Sequence, residues 1–222
     1  MITNARISDL LAPFGIALEP SQLSQVSTYL DLTMRWNQRI NLTSIRDPAE
    51  CVTRHFGESL FLAKWMSLDG THLDVGSGAG FPGLALKIAF PTLQVTLLEP
   101  VAKKRAFLKE VARSCGMVGV DVRPERLSEY IELAPTPSFN SASWRAVGGL
   151  SAIIPAAKCF LTVGGKLCLW ITTDQANDLA RVPSEMRWNP IIHIPACRTR
   201  VIFIGTSSSF ADVSRETVPD KG

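Results

Sequence analysis

Residues 72–83, "HLDVGSGAGFPG", are a short apolar run that opens into four glycines within eight positions. The run "HLDVG" predicts a buried strand, and "PGLALKIAF" after the glycines predicts a helix that ends before Pro91. Glycine permits a tight turn or the close approach of a second molecule to the backbone. This strand–loop–helix unit is typical of α/β folds that bind a ligand at the carboxyl ends of their strands.

The chain beyond this unit alternates strand and helix patterns. Apolar runs typical of strands recur in "QVTLLE", "VDVRPE", "SASWRAV" and "KLCLWI", and helical patterns lie between them. Among these, "AIIPAAKCFL" predicts a helix that is broken at its proline. The last two runs, "PIIHIPA" and "RVIFIGT", predict an antiparallel hairpin at one edge. The alternation indicates an α/β fold with a doubly wound, Rossmann-like sheet of mainly parallel strands.

The first part of the chain has helical patterns only. Apolar residues recur at helical spacing in "PSQLSQVSTYLDLTMRWNQ", and "DPAECVTRHFGESLFLAKWM" predicts a second amphipathic helix with Asp47 as its cap. We expect residues 1–68 to form a helical extension, 69–206 the Rossmann-like domain and 207–222 a polar tail.

Composition excludes several classes of protein. With 46% hydrophobic and 19% charged residues, 222 residues suffice for one medium-sized core and do not suggest wholesale disorder. The net charge of +3 is too small to establish nucleic-acid binding. The five cysteines are scattered without a C-x-x-C pair, which predicts neither a metal site nor a disulfide framework. No apolar run reaches the ~18 residues of a membrane span. We therefore expect a cytoplasmic protein without a secretory signal.

The spacing of the glycines leaves two ligand classes open. Gly78, Gly80 and Gly83 match the G-x-G-x-x-G fingerprint of dinucleotide sites, and Glu99 ends the next strand, where a ribose-binding acid belongs. Pro82 argues against a dinucleotide, because a pyrophosphate needs backbone N–H donors and proline lacks one. These residues favour S-adenosylmethionine, which has no phosphate. A glycine turn that serves only helix–strand packing is the alternative.

The same stretches resemble a known family. "LDVGSGAGFPGLALKIAFP" and "LLEPVAKKRAFLKEV" are similar to the core of the bacterial small-subunit ribosomal RNA guanine-N7 methyltransferases, also called the glucose-inhibited division protein B family. Upstream, "RWNQRINLTSIRDPAECVTRHFGES" resembles the N-terminal signature of that family. Downstream, "RLSEY" and "WRAV" resemble its second adenosine-contacting segment and its Ser-Arg-Ala motif. The resemblance implies an S-adenosylmethionine-dependent methyltransferase that acts on small-subunit ribosomal RNA or an assembling ribosomal particle. We expect it to work as a monomer, without a membrane or a metal.

The resemblance also implies the site residues. Gly76 and Phe81 match cofactor contacts in the glycine loop, and Leu127 and Ser128 match the pair that borders the adenine. Arg145 matches the arginine near the cofactor and is the predicted catalytic residue. Asp74 is expected to orient the loop or the ammonium group of the ligand. The full predicted cofactor-binding set is Asp74, Gly76, Gly78, Gly80, Phe81, Glu99, Leu127, Ser128 and Arg145.

Three positions depart from the family pattern. Trp144 stands where the family has serine, Glu58 where it has aspartate, and Ile171-Thr172 where it commonly has Lys-Gly. Trp144 has two interpretations, a platform on which an RNA base stacks or a buried core residue.

The expected chemistry makes few demands on the chain. Guanine N7 has a lone pair and no proton, so methylation there needs alignment more than a general base. Cations on one predicted helix, shortly after it and near the N-terminus suggest a phosphate-binding rim, or else a solvated surface: Lys103, Lys104, Arg105, Lys109, Arg113, Arg123, Arg126, Arg35, Arg39, Arg46 and Arg54. The alternative functions are a methyltransferase of the same fold for another RNA or a small molecule, a non-catalytic binding module, and, as a distant third, a dinucleotide oxidoreductase.

Overall fold

A computed structural model describes residues 2–145, 150–181, 186–197 and 199–208. In this part of the chain the strands form one sheet in the order β3-β2-β1-β4-β5-β8-β6, with β7 paired to β8. The strands are β1 Thr71–Val75, β2 Gln94–Leu98, β3 Val120–Arg123, β4 Phe139–Arg145, β5 Leu161–Thr172, β6 Met186–Trp188, β7 Ile192–His193 and β8 Arg200–Ser207.

Helices alternate with the parallel strands as predicted. They are α1 Asn4–Leu11, α2 Pro20–Asn37, α3 Pro48–Cys51, α4 Glu58–Leu60, α5 Gly83–Ala89, α6 Ala102–Ser114, α7 Leu127–Leu133, α8 Leu150–Phe160 and α9 Thr173–Arg181. Strands β1 to β5 run parallel, and β8 runs antiparallel between β5 and β6. The predicted α/β fold with a mainly parallel sheet is therefore confirmed.

The second N-terminal helix is less regular than its periodicity predicts. Asp47 caps α3 as expected, because its Oδ1 accepts a hydrogen bond from the Glu50 amide at 2.7 Å. The chain then continues through a π-helical turn over Val52–Gly57, α4, and a 3₁₀ turn over Phe61–Lys64. A π turn widens the helix over a single turn only, so the spacing of hydrophobic residues does not reveal it.

The helical extension shares its core with the sheet. Helix α2 packs on α5 and α6, and its glutamines bond to the ends of those helices. Gln22 Nε2 donates to the Ile88 carbonyl at 2.7 Å, and Gln25 Nε2 donates to the Cys115 carbonyl at 2.8 Å. These bonds satisfy carbonyl groups that a helix end leaves without an internal partner. The extension is thus fixed over the first strand–loop–helix unit.

The prediction of a broken helix at Pro155 is wrong. Helix α8 runs through Pro155 without the predicted break. Ile153, Ala157 and Phe160 are buried against the sheet. Their burial offsets the lost backbone hydrogen bond, which costs ~3 kcal/mol in a helix interior.

The antiparallel edge also differs from its prediction. In "PIIHIPA" only Ile192–His193 pair with β8, because the flanking prolines lack the N–H donors that a longer ladder needs. Strand β6 and helix α9 were not predicted, since β6 has only three residues and α9 is short and mostly polar. Ser207 still belongs to β8 rather than to the predicted tail, whose residues 209–222 lie outside the described part of the chain.

Candidate active site

The glycine loop joins β1 to α5 at the carboxyl edge of the parallel strands. Gly76, Gly78 and Gly80 have backbone φ angles of 70°, 57° and 87°, in the left-handed region that favours glycine. At Gly78 an added Cβ would find only the Gly76 carbonyl oxygen nearby, at 3.8 Å. At Gly80 an added Cβ would overlap the Tyr29 hydroxyl. Gly78 therefore leaves space for a ligand, whereas Gly80 is required for packing against α2.

Glu99 closes the loop from the end of β2. Its side chain is only 4% exposed, and its two oxygens accept hydrogen bonds from different backbone amides. Oε2 accepts from Gly78 at 2.9 Å, and Oε1 accepts from Val101 at 2.8 Å. Each carboxylate oxygen has a second lone pair. Glu99 thus holds the loop and can still accept hydrogen bonds from hydroxyl groups.

A cavity of about 570 Å³ opens above the glycine loop. It combines backbone groups, aromatic rings and cations, as cofactor sites do. Its lining consists of Leu42, Thr43, His55, Gly76, Ser77, Gly78, Ala79, Phe81, Glu99, Pro100, Val101, Lys104, Arg126 and Arg145.

One wall of the cavity is a loop that Asn37 folds. This buried side chain accepts from the backbone amides of Leu42 and Thr43 at 3.0 and 3.1 Å. It also donates to the carbonyls of Thr43 and Ile45 at 2.9 and 3.2 Å. All the capacity of the amide group for local bonds is used to shape the turn. Within the "WNQRINLT" stretch, Asn37 therefore fixes the conformation of the loop that follows it. The sequence pattern did not reveal this role.

Aromatic rings stack beneath the cavity. Phe81 stacks on Tyr29 with ring centroids 4.9 Å apart and on His55 at 4.8 Å. His55 Nε2 lies 2.8 Å from the Thr43 hydroxyl. Burial, with Arg145 and Arg54 nearby, lowers the pKa of His55 to about 3. The imidazole is therefore neutral at physiological pH and acts as an aromatic wall.

A directed chain of hydrogen bonds supports the loop from inside the sheet. Ser143 Oγ donates to Asp74 Oδ1 at 2.6 Å, so its own oxygen can only accept from His72 Nε2, at 2.8 Å. His72 Nδ1 then accepts from the Ser141 hydroxyl at 2.7 Å. This arrangement requires the Nε2–H tautomer of a neutral imidazole, and burial lowers the pKa of His72 to about 3. The histidine was not predicted, because it looks like an ordinary strand residue.

Asp74 lies at one end of this chain of hydrogen bonds. Burial raises the pKa of its carboxyl group to about 6, and the Ser143 hydrogen bond opposes that shift. Its Oδ2 faces the start of α5, where a Cβ on Gly83 would approach it to 2.7 Å. Asp74 therefore lies behind the loop, between β1 and α5, and its role in orienting the loop or the ammonium group of the ligand stays a prediction.

Arg145 ties the end of β4 to the helical extension. Its side chain is 8% exposed and lies 2.9 Å from Glu58, whose side chain is 3% exposed. It also donates to the Arg54 carbonyl at 2.7 Å and to the Ser59 hydroxyl at 3.0 Å. Burial lowers the pKa of Arg145 to about 10, and Glu58 opposes that shift, so the guanidinium stays charged. Arg145 is thus a fixed cation on the cavity wall.

Glu58 serves two arginines. Its second oxygen accepts from Arg200 at 2.6 Å, and its backbone carbonyl accepts from the Trp170 indole at 2.8 Å. The departure from the family pattern at this position therefore lies in a buried charge network that joins the π-helical turn to β4, β5 and β8.

Other predicted residues lie at different distances from the cavity. Arg126 lines the cavity, but the two predicted adenine contacts that follow it are not among the described lining residues. Of these two, Leu127 is half-buried and Ser128 is exposed. Trp144 is only 6% exposed and packs in the core beside the sheet. The interpretation of Trp144 as a base-stacking platform is wrong, because side chains alternate along β4 and this one points into the core.

The predicted cationic helix, α6, has several environments. Arg105 donates to the carbonyls of Glu99 and Pro100 at 3.0 and 2.6 Å, so it supports the β2–α6 turn. Arg113 pairs with Glu110 on the surface at 2.8 Å. Lys104 lines the cavity.

Comparison with known proteins identifies the family. Residues 22–196 match the family described as GidB, rRNA small subunit methyltransferase G. The Ribosomal RNA small subunit methyltransferase G of Chloroflexus aggregans is 35% identical over 213 residues, which cover 92% of this chain and 90% of that protein. The chain belongs to this family. Its relative of the same name from Alkalilimnicola ehrlichii is 36% identical over 173 residues, 78% of this chain and 77% of that protein.

Solved structures share the fold of this GidB-family chain. A protein from Agrobacterium tumefaciens, Atu636, described as a predicted O-methyltransferase, superimposes with a TM-score of 0.56 at 18% identity. The match covers 69% of this chain and 82% of that one. The fibrillarin/Nop5p complex gives a TM-score of 0.55 at 15% identity, with the same coverage of both chains. At these identities the likeness concerns the fold alone.

Two further features of the described residues concern membranes and metals. None of the described helices is long and apolar enough to cross a membrane. The same residues contain no group of three or more histidine, cysteine, aspartate or glutamate side chains that could hold a metal ion.

Proposed function

We propose that this protein uses S-adenosylmethionine to methylate N7 of a guanine in small-subunit ribosomal RNA. The observation that carries the proposal is the clamp of Glu99 on the Gly78 amide at the floor of the cavity, in a chain of the GidB family. Membership of that family favours this function over a methyltransferase for another substrate or a non-catalytic module.

The residues of the cavity fit the cofactor. Its volume of about 570 Å³ lies within the range of roughly 300–1,000 Å³ that small-molecule sites occupy. Glu99 would accept the ribose hydroxyls on its remaining lone pairs, and Gly76 and Gly78 would allow the methionine part to approach the backbone. Lys104 and Arg126 line the same cavity and give it positive charge. Leu127 and Ser128, directly after Arg126, would border the adenine.

Asp74 would act from behind the loop. Ser143 holds its carboxylate, and its Oδ2 lies beside Gly83 at the start of α5, so Asp74 would orient the glycine loop toward the cofactor. Phe81, packed on Tyr29 and His55, would form a rigid apolar wall. Gly80 would contribute through packing, since Tyr29 occupies the space next to it.

The cofactor, when bound, supplies an electrophilic methyl group on a sulfonium. Guanine N7 would accept this methyl group on its own lone pair as the carbon–sulfur bond breaks and S-adenosylhomocysteine leaves, so the chain need not remove a proton. His55 fits this low demand, because its pKa of about 3 makes it a weak base and because Thr43 holds its Nε2. The work of the protein is therefore to align the base with the methyl group and to exclude other geometries.

Arg145 is the proposed catalytic residue. It lies on the cavity wall, and Glu58, Ser59 and the Arg54 carbonyl fix its guanidinium in one orientation. A fixed cation there would hold the guanine or an adjacent phosphate in line with the methyl group. We also propose that the protein works as a monomer in the cytoplasm.

The direct test is incubation of the protein with methyl-labelled S-adenosylmethionine and small-subunit ribosomal RNA that lacks the modification. After digestion to nucleosides, we expect label in 7-methylguanosine. The same assay with the assembled small subunit distinguishes naked RNA from a ribosomal particle as substrate. Label in another nucleoside, or none despite cofactor binding by calorimetry, would refute the proposed reaction.

A further inference from the structure

A second concave surface lies beside the cavity, between α2 and α6. This groove has a volume of about 700 Å³. Its lining is Thr28, Leu32, Arg35, Trp36, Gln38, Arg39, Ile40, Lys103, Ala106, Glu110 and Ser114. The apolar members form the floor, and Trp36 is fixed there by an edge contact with Phe107, with ring centroids 5.7 Å apart. The groove is a built feature of the α2–α6 packing, because its aromatic residue is held by the core.

The rim of this groove carries cations that are available for a ligand. Arg35, Arg39 and Lys103 are exposed. Among the described residues, none of the three has a carboxylate within salt-bridge distance. The acidic member of the lining, Glu110, is already bound by Arg113 at 2.8 Å. Arg113 first, and Arg35 after it, lower the pKa of Glu110. The groove lining therefore holds three cations and one carboxylate, a net positive surface beside apolar side chains. Such a surface is complementary to a polyanion that has flat apolar parts.

The groove and the cavity are adjacent. On α6, Lys103 lines the groove and the next residue, Lys104, lines the cavity. On the loop after α2, Ile40 lines the groove and Leu42 lines the cavity. A chain that enters the cavity can therefore continue into the groove without leaving the surface.

We propose that this groove binds the RNA strand that flanks the methylated guanine, with phosphates on Arg35, Arg39 and Lys103 and a base or ribose against Trp36. The inference rests on the proposed function, and it adds the path of the substrate. Single-stranded RNA fits this geometry, because its bases are free to stack on an aromatic side chain while its backbone follows the cations. An A-form duplex hides the faces of its bases and would touch only the rim.

The test compares two triple variants. Arg35→Ala, Arg39→Ala and Lys103→Ala together remove the charges of the groove. Arg6→Ala, Arg181→Ala and Arg187→Ala remove the same charge from exposed sites elsewhere. Binding of unmethylated small-subunit ribosomal RNA is measured by filter retention at several salt concentrations, and cofactor binding by calorimetry. For a single strand, each lost phosphate contact reduces the slope of log K against log salt by ~0.7. For three lost contacts we expect the slope of the groove variant to be smaller by about 2.

We expect the groove variant to bind this RNA roughly tenfold more weakly at low salt, while the control variant stays close to wild type. Both variants should bind S-adenosylmethionine as wild type does. A second measurement locates the contact: 4-thiouridine-substituted RNA, crosslinked by light, should label peptides that contain residues 32–40 or 103–114.

If the wild type methylates the RNA and the two variants bind it with equal affinity and equal salt dependence, the groove does not bind RNA. The proposed function would then remain intact. Crosslinks confined to other segments would also overturn RNA binding by the groove, and would assign the groove to another occupant such as an acidic peptide. A wild type that binds none of this RNA would refute both proposals.

Discussion

Glutamine in place of Glu58 removes the carboxylate shared by Arg145 and Arg200 and keeps the shape of the side chain. The Glu58 side chain is 3% exposed, and its partners are 8% and 29% exposed. Breaking a buried ion pair from one side costs ~3–5 kcal/mol, because the remaining charge is left uncompensated. Water reaches Arg200, and the glutamine oxygen keeps one acceptor. We therefore expect the lower end, a loss of about 3 kcal/mol in the free energy of unfolding.

Urea unfolding followed by circular dichroism measures this loss. For a chain of this size it corresponds to a fall in Tm of roughly 6–12 °C. Glu50→Gln is the matched control. Glu50 pairs with Arg54 in the same helical segment at the same 2.9 Å separation, but these side chains are 43% and 46% exposed. A surface pair contributes ~0–1 kcal/mol, so this variant should unfold nearly like wild type. If the two variants lose equal stability, burial does not govern the Glu58 network and the reasoning fails.

Three further changes test the cavity. Glu99→Ala should weaken S-adenosylmethionine binding at least roughly tenfold by calorimetry, because it removes charge-assisted hydrogen bonds of ~1.5–3 kcal/mol each and frees the Gly78 amide; unchanged affinity would mean that another residue binds the ribose. Ser143→Ala removes a hydrogen bond that lowers the pKa of Asp74. That pKa should rise above about 6, the carboxylate should protonate at a higher pH, and the acid limb of cofactor binding should move upward, whereas an unmoved limb would show that the ionisation of Asp74 is irrelevant to binding. Arg145→Lys keeps a cation but loses the planar fork, and we expect single-turnover methylation to slow roughly 30- to 1,000-fold, or ~2–4 kcal/mol, in a folded protein; a wild-type rate would remove Arg145 from catalysis.

Local pattern was sufficient for β1, which leads into the glycine loop, and for β2 and α6, which lie beside it. β1, β2 and α6 were predicted because buried parallel strands are nearly continuous apolar runs and because helices keep a regular apolar stripe. β6 is too short, at three residues, and α9 too polar to give that signal. At Pro155 the local rule failed in the other direction, because it predicted a helix break that does not occur. Burial of Ile153, Ala157 and Phe160 stabilises the continuous helix.

For the site, sequence spacing pointed to Glu99 and to the glycines, because a ligand that approaches the backbone constrains neighbouring positions on one loop. It gave no signal for His72, and its expectation for Trp144 was divided. The side of the sheet on which a β4 side chain lies depends on the register of that strand with β1, where Asp74 pairs with Ser143 and Val75 with Trp144. Register is a relation between segments distant in the chain.

The sequence by itself determined the fold class, the glycine loop to which we assign the cofactor and the family of the chain. These depend on local periodicity, on glycine chemistry and on motifs within short windows. Only the tertiary structure decided that Glu58 joins Arg145 to Arg200, that Asn37 folds the cavity wall and that a cationic groove continues from the cavity between α2 and α6. Each of these brings together side chains from separate elements, and their energy depends on burial and distance, which appear only when the elements pack.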